Sequence, residues 1–447
     1  MGDSVQAIAR DNAHDLRPGN AYLLNSPYNG GSHLPDITVV SPVFDAHENE
    51  LLFFVACRAH HADIGGLTPG SMPPQSRSIH EEGVLFDNFL LVDDGRLRES
   101  ELREALGSGP YPARNPDQNV ADVTAQLAAN EKGANELRAM LDHFGREAVL
   151  AYMGHVQANA EACVRAVIDR LGDGEFSLPL DNGATIAVRV RVDAKHREAE
   201  IDFTGTSAQG ANNFNAPVAV TRAAILYVFR TLVDENIPLN AGCLIPLKLN
   251  VPQASLLNPR YPAAVVAGNV ETSQCVTNAL YAALGALAGS QGTMNNLTFG
   301  NAHYQYYETI CGGAGAGPTF DGASAVHTAM TNSRMTDPEV LEARYPVRVS
   351  EFSVREGSGG SGRYRGGDGV TRKLEFLEPM QAAILSNNRT TRPPGFAGGE
   401  AGQTGRNAVL HPDGSLTEHG PVAEFAVERG DILIIETPGG GGWGVAD

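Results

Sequence analysis

Over the first hundred residues, apolar positions come in short β-branched and aromatic runs separated by turn clusters. DITVVSPVF (36–44) and LLFFVAC (51–57) read as strands, with NSPYNGGSH (25–33) a turn before them and DAHENE (45–50) a turn between them, which makes the pair a hairpin. Between 117 and 171 the period lengthens. Val149, Met153, Val156, Ala160, Cys163, Val164, Val167 and Leu171 recur mostly at steps of three and four and stop at Gly172, the pattern of an amphipathic helix with a glycine end. ATIAVRVRVD (184–193) and EAEIDFTGT (198–206) return to period two, and APVAVTRAAILYVFRTLV (216–233) reads as a buried helix. Beyond Arg344, YPVRVSEFSVRE, VTRKLEFLE, AAILSNN and GDILIIETP are strands parted by glycine-rich turns. The expected class is therefore α+β: a β-rich, multi-lobed fold with a helical middle and a glycine-rich all-β C-terminal lobe. The expected division is 1–115, 116–345 and 346–447.

Folding the hairpin brings chemistry together. His33-Leu-Pro-Asp36 precedes its first strand and His60-His61-Ala-Asp63 follows its second, so an H-x-x-D spacing occurs twice. A turn centred between Ala46 and Asn49 sets opposite residues of an antiparallel pair at numbers summing to about 95, which puts Asp36 beside Ala59 and His60. Imidazole and carboxylate donors without thiolate suit a divalent ion of the Mn, Fe or Zn class that keeps open positions. Gly30, Gly31, Gly65 and Gly66 let backbone approach such a site closely. The bland reading is that these histidines cap strand ends by hydrogen bonds; the convergence of two pairs favours the metal.

Composition narrows the partner. Lys plus Arg is 33 and Asp plus Glu 52, so the formal net charge is 33 − 52 = −19, which argues against nucleic acid or an anionic membrane and for a small polar substrate. Five scattered cysteines without a C-x-x-C fit a reducing cytosol, and the sequence shows neither a secretory start nor a run of membrane-span length. A soluble, cytoplasmic protein is expected. GSGGSG (357–362) matches a dinucleotide fingerprint in spacing, but no helix pattern follows it, and no phosphate-cradling G-x-x-x-x-G-K-[ST] occurs. Around the glycine loop CGGAGAGP (311–318) stand Glu308, His327, Asn332 and Arg334, either turn residues or substrate contacts, with the Arg334 fork suited to a carboxylate. Cys275 opens a helix-like run and, lacking a base, reads as core.

Several stretches together, YLLNSPYNGGSHLPDITVVSPVF, RAHHADIGGLTPGSMPP, GTMNNLTFGNAHYQYYETICGGAGAGP, GSGGSGRYRGGDGVTRKLEF and TPGGGGWG, resemble the hydantoinase B/oxoprolinase family in order and spacing. Within it, NNLTFGNAHYQYYET and TNSRMTDPEVLE look closest to the 5-oxoprolinase type. The resemblance implies a hetero-oligomer in which a hydantoinase A-type ATPase subunit uses ATP to phosphorylate a cyclic amide such as 5-oxoproline or a hydantoin, and this chain completes its hydrolysis. It also implies a metal on His33, Asp36 and His60. Asp63, Glu308 and His327 would be catalytic, and Asn332 and Arg334 would bind substrate. A ketone carboxylase subunit and a non-catalytic scaffold for the ATPase are the alternatives. Relatives carry further sequence ahead of GDSVQAIARDN, which implies a shortened start. They also read HTHM where this chain has His327-Thr-Ala329-Met330.

Overall fold

The structure is a computed structural model, and it describes residues 1–45 and 50–446. The expected turn at 46–49 lies outside the described residues, but the strands on either side of it are paired. Asp36–Phe44 and Leu51–His60 run antiparallel with Asp36 opposite His60 and Val43 opposite Phe53, and a bulge precedes the Phe44–Leu51 pair. They form the edge of a five-stranded sheet that continues through Ala21–Leu24, Phe89–Asp93 and Arg96–Leu97. The unbroken apolar character of DITVVSPVF has a packing cause. Ile37 and Val39 join Leu23, Leu91, Val120 and Val123 under the helix Pro116–Phe144, while Val40 points the other way to Ala7 and Ile8 of the helix Gly2–Asp11. Both faces of the strand are buried, so neither alternates with polar residues.

The region expected to be helical from 117 to 171 is two helices, Pro116–Phe144 and Arg146–Ile168. Gly145 separates them at φ 81°, ψ 147°, a conformation that ends an α-helix and that glycine adopts without a side-chain clash. Asn115 caps the first helix by accepting from Gln118 N at 3.3 Å, with Pro116 at its first position. The second helix packs Val164, Val167 and Ile168 against a four-stranded sheet of Gly174–Pro179, Thr185–Asp193, Glu198–Asp202 and Leu247–Asn250, whose last pair is parallel. The helices Val218–Thr231 and Ser273–Ala283 share that core through Val228, Phe229, Val276 and Leu280. Cys275 sits in it, fully buried, with its thiol pushed well up by burial.

Two antiparallel sheets share a further core. One holds Gln305–Glu308, Asn296–Gly300, Met380–Leu385 and Val422–Val427; the other holds Val347–Arg355, Gly369–Phe376, Ile432–Glu436, Arg406–Leu410 and Leu416–His419. Phe299, Ile384, Leu374, Phe376 and Leu433 fill the space between them. Strands from both sides of residue 346 thus belong to one sheet. The glycine-rich loops around 311–318, 358–367 and 438–444 stack backbone on backbone: Gly440 N donates to Gly367 O at 2.9 Å, Gly367 N to Ala314 O at 2.9 Å, and Ala316 N to Gly441 O at 2.9 Å. A Cβ on Gly440 would collide with the Ala314 carbonyl, so the glycines serve close packing, and the strand Gly369–Phe376 follows GSGGSG in place of a helix.

Candidate functional site

The end of the hairpin is built from the loop before it. Asn25, fully buried, pins that loop by donating to Leu34 O at 2.8 Å and Val84 O at 3.0 Å while accepting from Phe86 N at 2.7 Å. This sets His33, 0% exposed, with Nδ1 3.2 Å from Asp36 Oδ2 and 3.2 Å from Asn269 Nδ2. Asp36 also accepts from Ser32 Oγ at 2.7 Å. Burial pushes the Asp36 carboxyl up, but His33, His60 and Arg58 outweigh it and hold the group well below the ordinary carboxylate range. Opposite it in the sheet stands His60, whose ring centroid lies 5.2 Å from that of His33 and 4.9 Å from that of Tyr307, stacked on the latter at 10°. As a residue His60 is exposed at the strand end. Even so, the protein packed around it and the neighbouring His33 lower its pKa to about 4, so the ring is neutral and offers a lone pair at neutral pH.

His61 goes to the other face. It is 0% exposed, with Asn119 Nδ2 at 3.0 Å from Nδ1 and Gln126 Oε1 at 3.2 Å from Nε2, so both ring nitrogens are engaged by the helix Pro116–Phe144. Asp63 is buried as well. Its Oδ1 accepts from Gly65 N at 2.9 Å and Arg114 N at 3.1 Å, and its Oδ2 from Gly70 N at 3.1 Å and Arg114 Nη1 at 2.9 Å. Every acceptor direction is turned to the 63–70 loop and Arg114, away from free space.

Among the described residues no group of three or more His, Cys, Asp and Glu side chains stands in a geometry that could hold a metal ion. The pair His33–Asp36 does match. Two donors each about 2.1 Å from one ion, at right-angled to tetrahedral spacing, stand roughly 3.0–3.4 Å apart, and the pair is at 3.2 Å. The other ring nitrogen, His33 Nε2, is buried with no hydrogen-bond partner among the described residues. The donor types and this spacing fit an ion at the pair; His60 stands next to it, its ring centroid 5.2 Å from that of His33, without completing a three-residue set among the described residues.

A model of the family described as hydantoinase B/oxoprolinase matches residues 1–446. The chain belongs to that family. It is 45% identical over 456 residues to the 5-oxoprolinase of Dictyostelium discoideum, a match covering all of this chain and 36% of that protein. To 5-oxoprolinase 1 of Arabidopsis thaliana it is 44% identical, over 99% of this chain and 37% of that one. The hydantoinase B/oxoprolinase chain thus spans little more than a third of the length of these relatives. Among solved structures it resembles the ATP-dependent caprolactamase of Pseudomonas jessenii, at TM-score 0.85 and 25% identity, covering all of this chain and 81% of that one. An acetone carboxylase structure, at TM-score 0.88 and 18% identity over 99% of this chain and 68% of that one, shares the fold.

The other candidates of this hydantoinase B/oxoprolinase chain lie on other elements. Glu308 lies in the sandwich core, its carboxylate paired with Arg372 at 2.7 and 3.0 Å and accepting from Tyr306 Oη at 3.0 Å. His327 is half-buried; burial lowers its pKa, and its Nδ1 has no partner among the described residues. The segment after it is tethered to the helix Ser273–Ala283 by Gln274 Nε2, which donates to Thr328 O at 2.9 Å and Thr331 Oγ1 at 2.6 Å. Asn332 and Arg334 follow on the exposed side of that segment. The sequence reading passed over Asn269 and Tyr307, which touch His33 and His60. A signal for Tyr307 was present: in QYYE (305–308) period two turns Tyr307 away from Tyr306 and Glu308. Among the described residues no helix is long and apolar enough to cross a membrane, and the five cysteines are free.

Proposed function

We propose that this chain is the B component of an ATP-dependent cyclic-amide hydrolase. It would open 5-oxo-L-proline to L-glutamate, or a hydantoin ring, after a hydantoinase A-type partner has phosphorylated the amide oxygen in a cytoplasmic hetero-oligomer. The observation that carries the reading is the meeting of His33, Asp36 and His60 at one sheet end, in a chain 45% identical to a 5-oxoprolinase over its whole length. An amide carbon is a poor electrophile, and transfer of the γ-phosphoryl group of ATP to its oxygen makes it a good one. Water adds to that carbon and the C–N bond breaks, leaving an acyl phosphate that a second water cleaves to carboxylate and phosphate.

In this reading His33, Asp36 and His60 would hold a divalent ion of the Mn, Zn or Fe class, which would supply acidification of a bound water. The residues of the chain do the rest. Neutral His60 would give its one free ring lone pair to the ion, as a ligand. Asp63 orders the 63–70 loop beside the hairpin end through its four hydrogen bonds, and Glu308 acts through the sandwich core. On the 327–334 segment, His327 and Asn332 contact the ring amide and the Arg334 fork takes the substrate carboxylate. The test is to combine the chain with an A-type subunit and follow ATP hydrolysis with 5-oxoproline, with a hydantoin, and with a ketone plus bicarbonate. Stimulation by either cyclic amide is expected. A response to the ketone alone would establish a carboxylase and overturn the reading.

A further inference from the structure

The side chains touching His33 and His60 lead back to one short stretch of backbone. Gly268–Thr272 forms a single π turn running directly into Ser273–Ala283, a helix with every residue buried; such turns recur at functional sites because they re-aim side chains within a helix. Its Asn269 meets His33 Nδ1 at 3.2 Å. Its Glu271, 0% exposed, accepts from Met294 N at 2.9 Å and from Asn296 Nδ2 at 2.7 Å. Asn296 Nδ2 also donates to Leu385 O at 2.8 Å, so the amide can face only one way and Asn296 Oδ1 accepts from Tyr307 Oη at 2.9 Å. The ring of Tyr307 then lies flat on His60. One turn reaches both histidines, directly at His33 and through three side chains at His60.

We propose that Glu271 is a positioning residue for the His33, Asp36 and His60 cluster, fixing the His60 ring through Asn296 and Tyr307. The cluster's role as a metal site rests on the function proposed above; the geometry of the chain of contacts does not. The network gives a physical reason for a fully buried carboxylate at this turn. Two donors, the Met294 amide and the Asn296 carboxamide, converge on one oxygen, and losing that acceptor leaves Leu385 O as the remaining partner of the Asn296 Nδ2, which loosens the carboxamide's hold on Tyr307 and so on the imidazole. Outer residues that orient ligand imidazoles typically change metal affinity by about 10–100-fold when removed.

The experiment compares the full-length chain with Glu271→Gln, Glu271→Leu, Tyr307→Phe and Tyr307→Leu. It reads the rate of diethyl pyrocarbonate modification at His60 by peptide mass analysis, and Mn²⁺ affinity by calorimetry. Glu271→Gln keeps an acceptor oxygen and should match the parent within about twofold on both readouts. Glu271→Leu and Tyr307→Leu should raise His60 modification several-fold and weaken Mn²⁺ at least tenfold, with the buried, doubly bonded His61 unmodified throughout. Tyr307→Phe, which keeps the stack but releases the hydroxyl from Asn296, should fall between, and it decides the question if Glu271→Leu does not fold. Unchanged His60 rates in the folded variants would overturn the proposal. If the parent binds no Mn²⁺ yet the His60 rates still separate, positioning by Glu271 stands and the metal-dependent function falls.

Discussion

Removing the carboxylate of Glu308 separates a structural from a catalytic role for a residue whose place in the sequence fits either. Glu308 and Arg372 have side chains only 2% and 1% exposed, with Nε–Oε1 at 2.7 Å and Nη2–Oε2 at 3.0 Å. Tyr306 Oη adds a third bond to the carboxylate, and the Phe352 ring lies 5.5 Å from the guanidinium carbon. Glu308→Ala strands a guanidinium and a phenol inside the sandwich, where breaking a buried pair costs about 3–5 kcal/mol. For a unit on the order of 150 residues, an unfolding entropy of about 2.1 cal/mol/K per residue turns ~4 kcal/mol into a fall in midpoint of roughly 12 °C. Circular dichroism melting should show that fall, and hydrogen exchange should place the loosening in Gln305–Glu308 and Gly369–Phe376. Replacing both partners, as Glu308→Leu with Arg372→Met, should recover most of the loss, since an apolar pair of similar volume avoids the desolvation of two charges. A variant that melts within about 2 °C of the parent while losing turnover would refute the reasoning and place Glu308 in the chemistry.

The adjacent histidines should respond oppositely. His61→Leu leaves Gln126 Oε1 and Asn119 Nδ2 without the ring and should cost about 1–3 kcal/mol in urea melts with Mn²⁺ affinity kept, whereas His60→Ala should abolish Mn²⁺ binding with little change in melting. Glu271 gives a pH dependence. Burial pushes its carboxyl from 4.5 up to about 7 despite the Thr293 hydroxyl, the Met294 amide and the Arg389 charge, so between those values the folded chain holds a proton that the unfolded chain has lost, and stability falls as pH rises through that window. Glu271→Gln removes the fall, so the difference in stability between variant and parent should shift in favour of the variant by up to about 3 kcal/mol from pH 4 to pH 8. A difference that does not change with pH would show that Glu271 is not protonated in the folded chain.

Elements whose pattern is set by their own neighbours were the legible part of the fold. The hairpin register was read to within one residue, an expected sum near 95 against 36 + 60 = 96, because two strands of defined length leave little freedom in pairing. The buried helix at 216–233 is found at Val218–Thr231 for the same reason: its apolar run is long and bounded. Gly145 was invisible as a break because a single glycine costs a helix only about 1 kcal/mol, and nothing local reveals that its φ will be positive. The joining of Asn296–Gly300 to Met380–Leu385 is a pairing across some eighty positions, and such partners are chosen by the whole core.

At the site, chemistry depends on parity within strands more than on residue type. His60 and His61 are the same amino acid one position apart; one faces Asp36 and Tyr307, and the other is absorbed by Asn119 and Gln126. Tyr307 and Glu308 repeat the pattern on another sheet, with the phenol turned to His60 and the carboxylate to Arg372. Period two, once a strand's buried face is known, assigns each of these four side chains without reference to its chemistry. Glu271 and Asn269 escape that rule because a π turn carries them, and it aims two polar side chains from a segment buried but for the half-buried Asn269, where an α-helical reading of GNVETSQC expects continuous core. The residues nearest the proposed chemistry are therefore found in a stretch where the backbone passes from π turn to α-helix, and in the strand position that alternation sets apart from its conspicuous acidic neighbour.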